Sequence, residues 1–175
     1  MRLFIGLQPS AEIRDALFSL VCQAVPQDGA RVVPKALYHV TLAFLVERDE
    51  SQLPALTSIV HSMALACSAP SLSIQGCNLF GKGAGTILYA AIQPSEPLTA
   101  LYANLCSALT EHDQPYDPKP LIPHITLARK GSWPPVPAEP LPALTFQPDR
   151  LILYHSTRVN DELQYLPLAT APFAR

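Results

Sequence analysis

Charge is scarce in this sequence and balanced in sign: 15% of its 175 residues are Asp, Glu, Lys or Arg, and the formal net charge is -2. Proteins that coat long stretches of nucleic acid rest on a broad Lys/Arg surface that neutralises many phosphates, so this balance argues against that class. Six basic and six acidic residues fall between Met1 and Leu88, and six and eight between Tyr89 and Arg175, so neither half is a basic arm. Any nucleic-acid partner has to be gripped locally. No stretch of some 20 apolar residues exists to cross a membrane, and the opening Met1-Arg2-Leu3-Phe4-Ile5-Gly6-Leu7 is too short for a signal-peptide core, which places the expected location in the cytoplasm. The four cysteines, Cys22, Cys67, Cys77 and Cys106, form no C-x-x-C and stand at no zinc-finger spacing to a histidine. They read as buried free thiols rather than as a metal site or a redox pair.

What is present is hydrophobic. An apolar fraction of 49% in 19.0 kDa is enough for a substantial core, held in one unit or in two small lobes that share it. Residues 2–8 read as a strand. A helix over 11–24 follows behind Ser10 as N-cap, with Ile13, Leu17, Leu20 and Val21 at helical spacing. Tyr38 to Val46 reads as a strand, and 51–66 as a helix with Leu53, Leu56, Ile59, Val60 and Met63 on one face. Strands over 71–80 and 86–93 flank Gly81-Lys82-Gly83-Ala84-Gly85, and 98–112 carries a stripe of Leu98, Leu101, Leu105 and Leu109. Further strands are expected at 121–129, near Leu144, at 150–156 and at 164–168.

Two segments are best read as connections. Nine of the 19 prolines lie between Pro115 and Pro142, densest at Trp133-Pro134-Pro135-Val136-Pro137, a stiff extended loop that is not expected to be a central strand. The glycine-rich Gly81–Gly85 lacks both the G-x-x-x-x-G-K-[ST] spacing and a helix directly after it, so it reads as a hairpin turn rather than a phosphate loop. His61 and His112, in or at the end of expected helices, have no partner at useful spacing; His155, next to Tyr154 on a late strand, could approach the cleft but is a lone histidine.

The informative feature is a repeat. His39-Val40-Thr41-Leu42 returns as His124-Ile125-Thr126-Leu127, each followed by Ala, at a separation of 85 residues (124 minus 39), close to half the chain. In a strand, residues i and i+2 share a face, so each His stands beside its Thr while Val40, Leu42, Ile125 and Leu127 point into the core. Two such strands in one cleft would present two imidazoles on opposite sides of a phosphorus centre, where in-line displacement needs one group to deprotonate the attacking oxygen and another to protonate the leaving one. An imidazole pKa near about 6.5 supplies both protonation states. The threonine hydroxyls can hold nonbridging oxygens. This chemistry calls for no metal and no cofactor.

In these residues the chain resembles the two-histidine phosphoesterases, and within them the LigT-like RNA 2',3'-cyclic phosphodiesterases (ThpR). The resemblance runs from Arg2-Leu3-Phe4-Ile5-Gly6-Leu7 through Thr41-Leu42-Ala43-Phe44-Leu45 and Pro123-His124-Ile125-Thr126-Leu127-Ala128-Arg129 to Leu151-Ile152-Leu153-Tyr154. It implies an α+β fold over residues 1–175, two similar lobes related by a pseudo-two-fold axis, with antiparallel sheets forming a central cleft and helices outside. It implies hydrolysis of RNA ends or nucleotides carrying a 2',3'-cyclic phosphate to 2'-phosphomonoesters, and in some members a reversible 2',5' joining of RNA ends. By position, His39 corresponds to the proton donor and His124 to the proton acceptor. Thr41, Thr126 and Arg129 correspond to phosphate ligands, and Phe44 to a side chain that stacks on the base. The pattern departs at Val46, where members often have Gly, which bears on the turn after that strand. Arg2, Lys35, Lys130 and Arg158 read as ordinary surface charges. Two other readings stay open: a metal-dependent hydrolase with His39 and His124 as ligands and Glu47 and Asp49 downstream, and a noncatalytic module that binds nucleotide ends.

Overall fold

A computed structural model describes residues 1–24, 30–130 and 144–174. In chain order the elements are β1 (Arg2–Leu7), α1 (Ala11–Ala24), β2 (Arg31–Val32), β3 (Val40–Glu47), α2 (Leu53–Ala66), β4 (Leu72–Phe80), β5 (Ile87–Ile92), α3 (Glu96–Glu111), β6 (His124–Arg129), β7 (Leu144–Phe146), β8 (Arg150–Val159) and β9 (Glu162–Pro172). Strands β3-β1-β8-β9 form one antiparallel sheet and β2-β6-β5-β4-β7 the other. The fold is α+β, as the resemblance implied, and its organisation follows the repeat. β1, α1 and β3 are matched by β5, α3 and β6, and β1 and β5 begin the same 85 residues apart (87 minus 2) as the motif histidines.

The strongly apolar strands are those covered on both faces. Leu3, Ile5 and Leu7 of β1 and Leu151 and Leu153 of β8 enter the main core, while Phe4, Ile152 and Tyr154 between them form a second cluster with Tyr165. Burial on both sides explains why Leu3-Phe4-Ile5 and Leu151-Ile152-Leu153-Tyr154 read as continuous runs rather than as alternation. Helix α2 covers β8 and β9 and touches α3, whereas α1 lies against β6. The stripe of Leu98, Leu101, Leu105 and Leu109 on α3 is wholly buried. β3 and β6, one from each sheet, approach each other, and this is where the two lobes bring their motifs together.

Several boundaries differ from the sequence expectations for identifiable reasons. α2 begins at Leu53 because a 3-10 turn at Glu50–Gln52, closed by a capping box between Asp49 and Gln52, precedes it. α3 begins at Glu96, with Pro97 in its first turn, where a missing N–H costs nothing. β8 and β9 pair along a hairpin longer than the two short strands expected. Cys22 is exposed rather than buried: it lies one residue beyond buried Val21 on α1, a rotation of about 100° away from the core. Cys67, Cys77 and Cys106 are half-buried free thiols. The Trp133–Pro137 part of the expected proline loop lies outside the described residues. No helix among the described residues is long and apolar enough to cross a membrane.

Candidate active site

The two motif histidines are held alike. His39 Nδ1 lies 2.7 Å from the Leu37 carbonyl oxygen, and His124 Nδ1 lies 2.7 Å from the Ile122 carbonyl oxygen. A carbonyl can only accept, so Nδ1 carries the hydrogen in both rings and Nε2 is left as the available atom. The side chains between and beyond them alternate as a cleft wall requires: Val40, Leu42, Ile125 and Leu127 are buried, while His39, Thr41, His124 and Thr126 are half-buried.

Aromatic rings pack against each imidazole. Phe4 lies 4.8 Å from the His39 ring and stacks on Tyr154 at 4.9 Å, and Tyr165 meets His39 edge-on at 4.9 Å. On the other side, Tyr89 lies 5.4 Å from His124 and stacks on Phe80 at 3.9 Å, with Phe80 edge-on to His124 at 5.0 Å. Phe4 and Tyr89 stand at the 85-residue interval themselves, so each lobe supplies its histidine with an equivalent aromatic support. These rings were missed from the sequence; applying the motif spacing to β1 would have found Phe4 and Tyr89.

Burial among these rings lowers the pKa of both imidazoles. His39 falls to about 4, chiefly because desolvation penalises its charged form, against the hydrogen bond to Leu37 that favours that form. The charges of His124 and Arg129 depress it further. His124 is lowered by burial and by Arg129, with its bond to Ile122 opposing.

A cavity of about 810 Å³ opens at this place, and its wall includes His39, Thr126, Arg129, Tyr165, Lys130 and Arg158. Arg31, also in that wall, pairs directly opposite Arg129 across β2 and β6. Like charges directly opposite on adjacent strands are unfavourable on their own, and an anion between them would offset the repulsion.

A model of the 2'-5' RNA ligase superfamily matches residues 8–160. The chain belongs to that superfamily. Among relatives of this superfamily member, a Thermus thermophilus protein named RNA 2',3'-cyclic phosphodiesterase is 30% identical over 153 residues, spanning 83% of this chain and 75% of the relative. A Thermotoga maritima protein of the same name is 24% identical over 164 residues, 90% of this chain and 87% of its own. A crystal structure of a Thermus thermophilus protein superposes with a TM-score of 0.86 at 27% identity, covering 99% of this chain and 98% of the other. E. coli LigT complexed with NADP+ shares the fold, with a TM-score of 0.80 at 24% identity over the same shares of the two chains.

His39, Thr126 and Arg129 line one cavity. Thr41 and His124 are not in its lining; Thr41, on β3, pairs with Gly6 of β1, and His124 opens β6. Phe44 is 47% exposed, its ring 6.1 Å from Phe4. Lys130 and Arg158, read as surface charges, stand in the cavity wall, whereas Lys35 is paired with Asp15 at 2.5 Å. His61 and His112 are exposed, and His155 faces away from Tyr154 on β8. Of the two carboxylates downstream of the first motif, Glu47 pairs with the Met1 amino group at 3.4 Å and Asp49 caps the 3-10 turn. Among the described residues no three His, Cys, Asp or Glu side chains are grouped to hold a metal ion.

Proposed function

We propose that this protein is an RNA 2',3'-cyclic phosphodiesterase that opens a terminal cyclic phosphate to a 2'-phosphomonoester by acid-base catalysis without a metal ion. The observation that carries the reading is the matched pair of imidazoles, each with Nδ1–H donated to a backbone carbonyl and Nε2 available. The names of the relatives support the same activity.

In this mechanism His124 Nε2 accepts a proton from water as the water oxygen attacks phosphorus, and His39, protonated, gives its proton to the departing 3' oxygen. A net proton moves from one ring to the other, and bulk water restores both. Burial holds His39 neutral in the free protein, since its pKa is about 4. The anionic phosphodiester favours the imidazolium, so substrate binding raises that pKa towards the operating pH. Thr41, Thr126 and Arg129 bind the nonbridging oxygens, and Phe44 stacks on the terminal base. The partners are RNA ends or nucleotides with a cyclic phosphate, met in the cytoplasm, and residues 1–175 act as one domain of two lobes. With a 5'-hydroxyl RNA end in place of water as the attacking group, the same ring opening would form a 2',5' linkage, and attack of the freed 3'-hydroxyl on that linkage would reverse it.

The test is to incubate chelator-treated protein with a short RNA ending in a 2',3'-cyclic phosphate and to locate the product phosphate. A 2'-phosphate is expected. A 3'-phosphate would reverse the leaving group, activity lost on chelation and regained with metal would establish the metal-dependent alternative, and binding without turnover would leave a nucleotide-end module.

A further inference from the structure

A second cavity, of about 550 Å³, lies across Tyr165 from the one that holds His39. Tyr165 lines both, and Tyr154, stacked on Phe4 beneath His39, reaches into the second. The second cavity is therefore reached along the same aromatic face that supports the catalytic imidazole. Its wall also includes Ser10, just before α1, Arg14 in the first turns of α1, and Arg150 beside Asp149 at the start of β8.

The cations are not equivalent. Arg150 is held by Asp149 through contacts of 2.9 and 2.5 Å, which largely neutralises it. Arg14 has no carboxylate within ion-pair range among the described residues, and its Nε is buried without a hydrogen-bond partner. Such a buried donor is costly unless a ligand satisfies it. Tyr154 lines the same cavity, and burial outweighs the two nearby guanidinium groups to raise its pKa to about 12, which keeps the hydroxyl protonated as a donor. A guanidinium, a phenol and the Ser10 hydroxyl around an open cavity suit a phosphate oxygen rather than an apolar group.

We propose that this cavity receives the phosphodiester next upstream of the reacting end, gripped by Arg14, with the intervening sugar and base lying against Tyr165 and Tyr154. This rests on the phosphodiesterase reading and extends it from the reacting nucleotide to the chain that bears it. The protein then selects RNA ends over free cyclic nucleotides, through one local cationic contact in a molecule that is acidic overall.

The experiment measures affinity and turnover separately, for a 2',3'-cyclic mononucleotide and for a short RNA ending in the same cyclic phosphate, in wild type, Arg14→Gln, Arg14→Lys and Lys130→Gln, with folding of each variant checked by circular dichroism. Wild type should bind the RNA more tightly than the mononucleotide. Arg14→Gln should remove that advantage, about tenfold, and flatten the slope of log affinity against log salt by about 0.7, the value of one phosphate contact on a single strand. Mononucleotide binding and turnover should not change, and Arg14→Lys should retain part of the advantage. Equal weakening for both ligands, no weakening for RNA, or loss of the advantage in Lys130→Gln alone would overturn the proposal. Failure of wild type to turn over either compound would count against the phosphodiesterase reading, while the affinity series would still decide the site.

Discussion

A Cβ atom at Gly6 would lie 2.6 Å from the Val40 carbonyl oxygen. The first sheet therefore needs glycine here for closeness of approach, because β1 and β3 meet with Gly6 opposite Thr41 and Leu7 opposite Val40. The contact is with backbone, which cannot swing aside, and it lies next to His39. Gly6→Ala should push β3 away from β1, destabilise the fold by about 1–3 kcal/mol and lower kcat by displacing the imidazole. Denaturant unfolding and steady-state rates measured together check this; unchanged values of both would show that the strands have room to part.

Val46 adopts φ 62, in the left-handed region that a β-branched residue avoids, and the β1–β3 register shifts beside it. The expected departure at this position thus leaves the strand intact through Glu47 and is met by a strained backbone. Val46→Gly should relieve it. Because Val46 is more than half exposed and little packing is lost, a gain of about 1 kcal/mol is expected, raising the melting temperature by about 2–4 °C. A lower melting temperature would contradict the strain.

The contrast between these positions shows what was legible in the sequence. The His-x-Thr repeat announced the paired strands, and the leucine stripe of α3 its buried face, because both depend on local periodicity. The close approach of Gly6 to Val40, the aromatic rings behind each histidine and the opposition of Arg31 to Arg129 depend on register between strands far apart in sequence. β2, only two residues long, carries no periodic signal. Lys130 and Arg158 look like solvated charges until the β8–β9 hairpin and the end of β6 enclose a cavity.

The lowered imidazole pKa values make a statement about pH. Free protein loses the imidazolium of His39 as pH rises through about 4, and that of His124 below its ordinary value. The alkaline limb of kcat/KM, which reports the free protein, should therefore lie below about 6.5, and that of kcat should move upward because bound phosphate favours the charged ring. Coincident limbs would contradict this. The same shift bears on folding. A histidine whose folded pKa is depressed binds fewer protons than the unfolded chain, so stability is greatest above about 6.5 and falls as pH drops towards 4. His39→Gln should flatten that slope in denaturant unfolding measured across the window.

Phe44 is a large apolar ring left 47% exposed beside Phe4. If it stacks on the terminal base, Phe44→Ala should weaken nucleotide affinity by about 1–3 kcal/mol with a smaller effect on kcat, while Phe44→Tyr should retain affinity. Isothermal titration with a nonreactive 2'-nucleotide would read it, and equal affinities for wild type and Phe44→Ala would remove the ring from the site.

Whether His39 and His124 act as one acid-base pair is read from single-turnover cleavage of a cyclic-phosphate RNA by His39→Ala, His124→Ala and the double variant. Each single variant should fold and lose about a hundredfold to ten-thousandfold in rate, and the double variant should be little slower than the worse single one, since half of a coupled pair does little alone. Near wild-type cleavage by either single variant, or two losses that multiply in the double variant, would contradict the pairing.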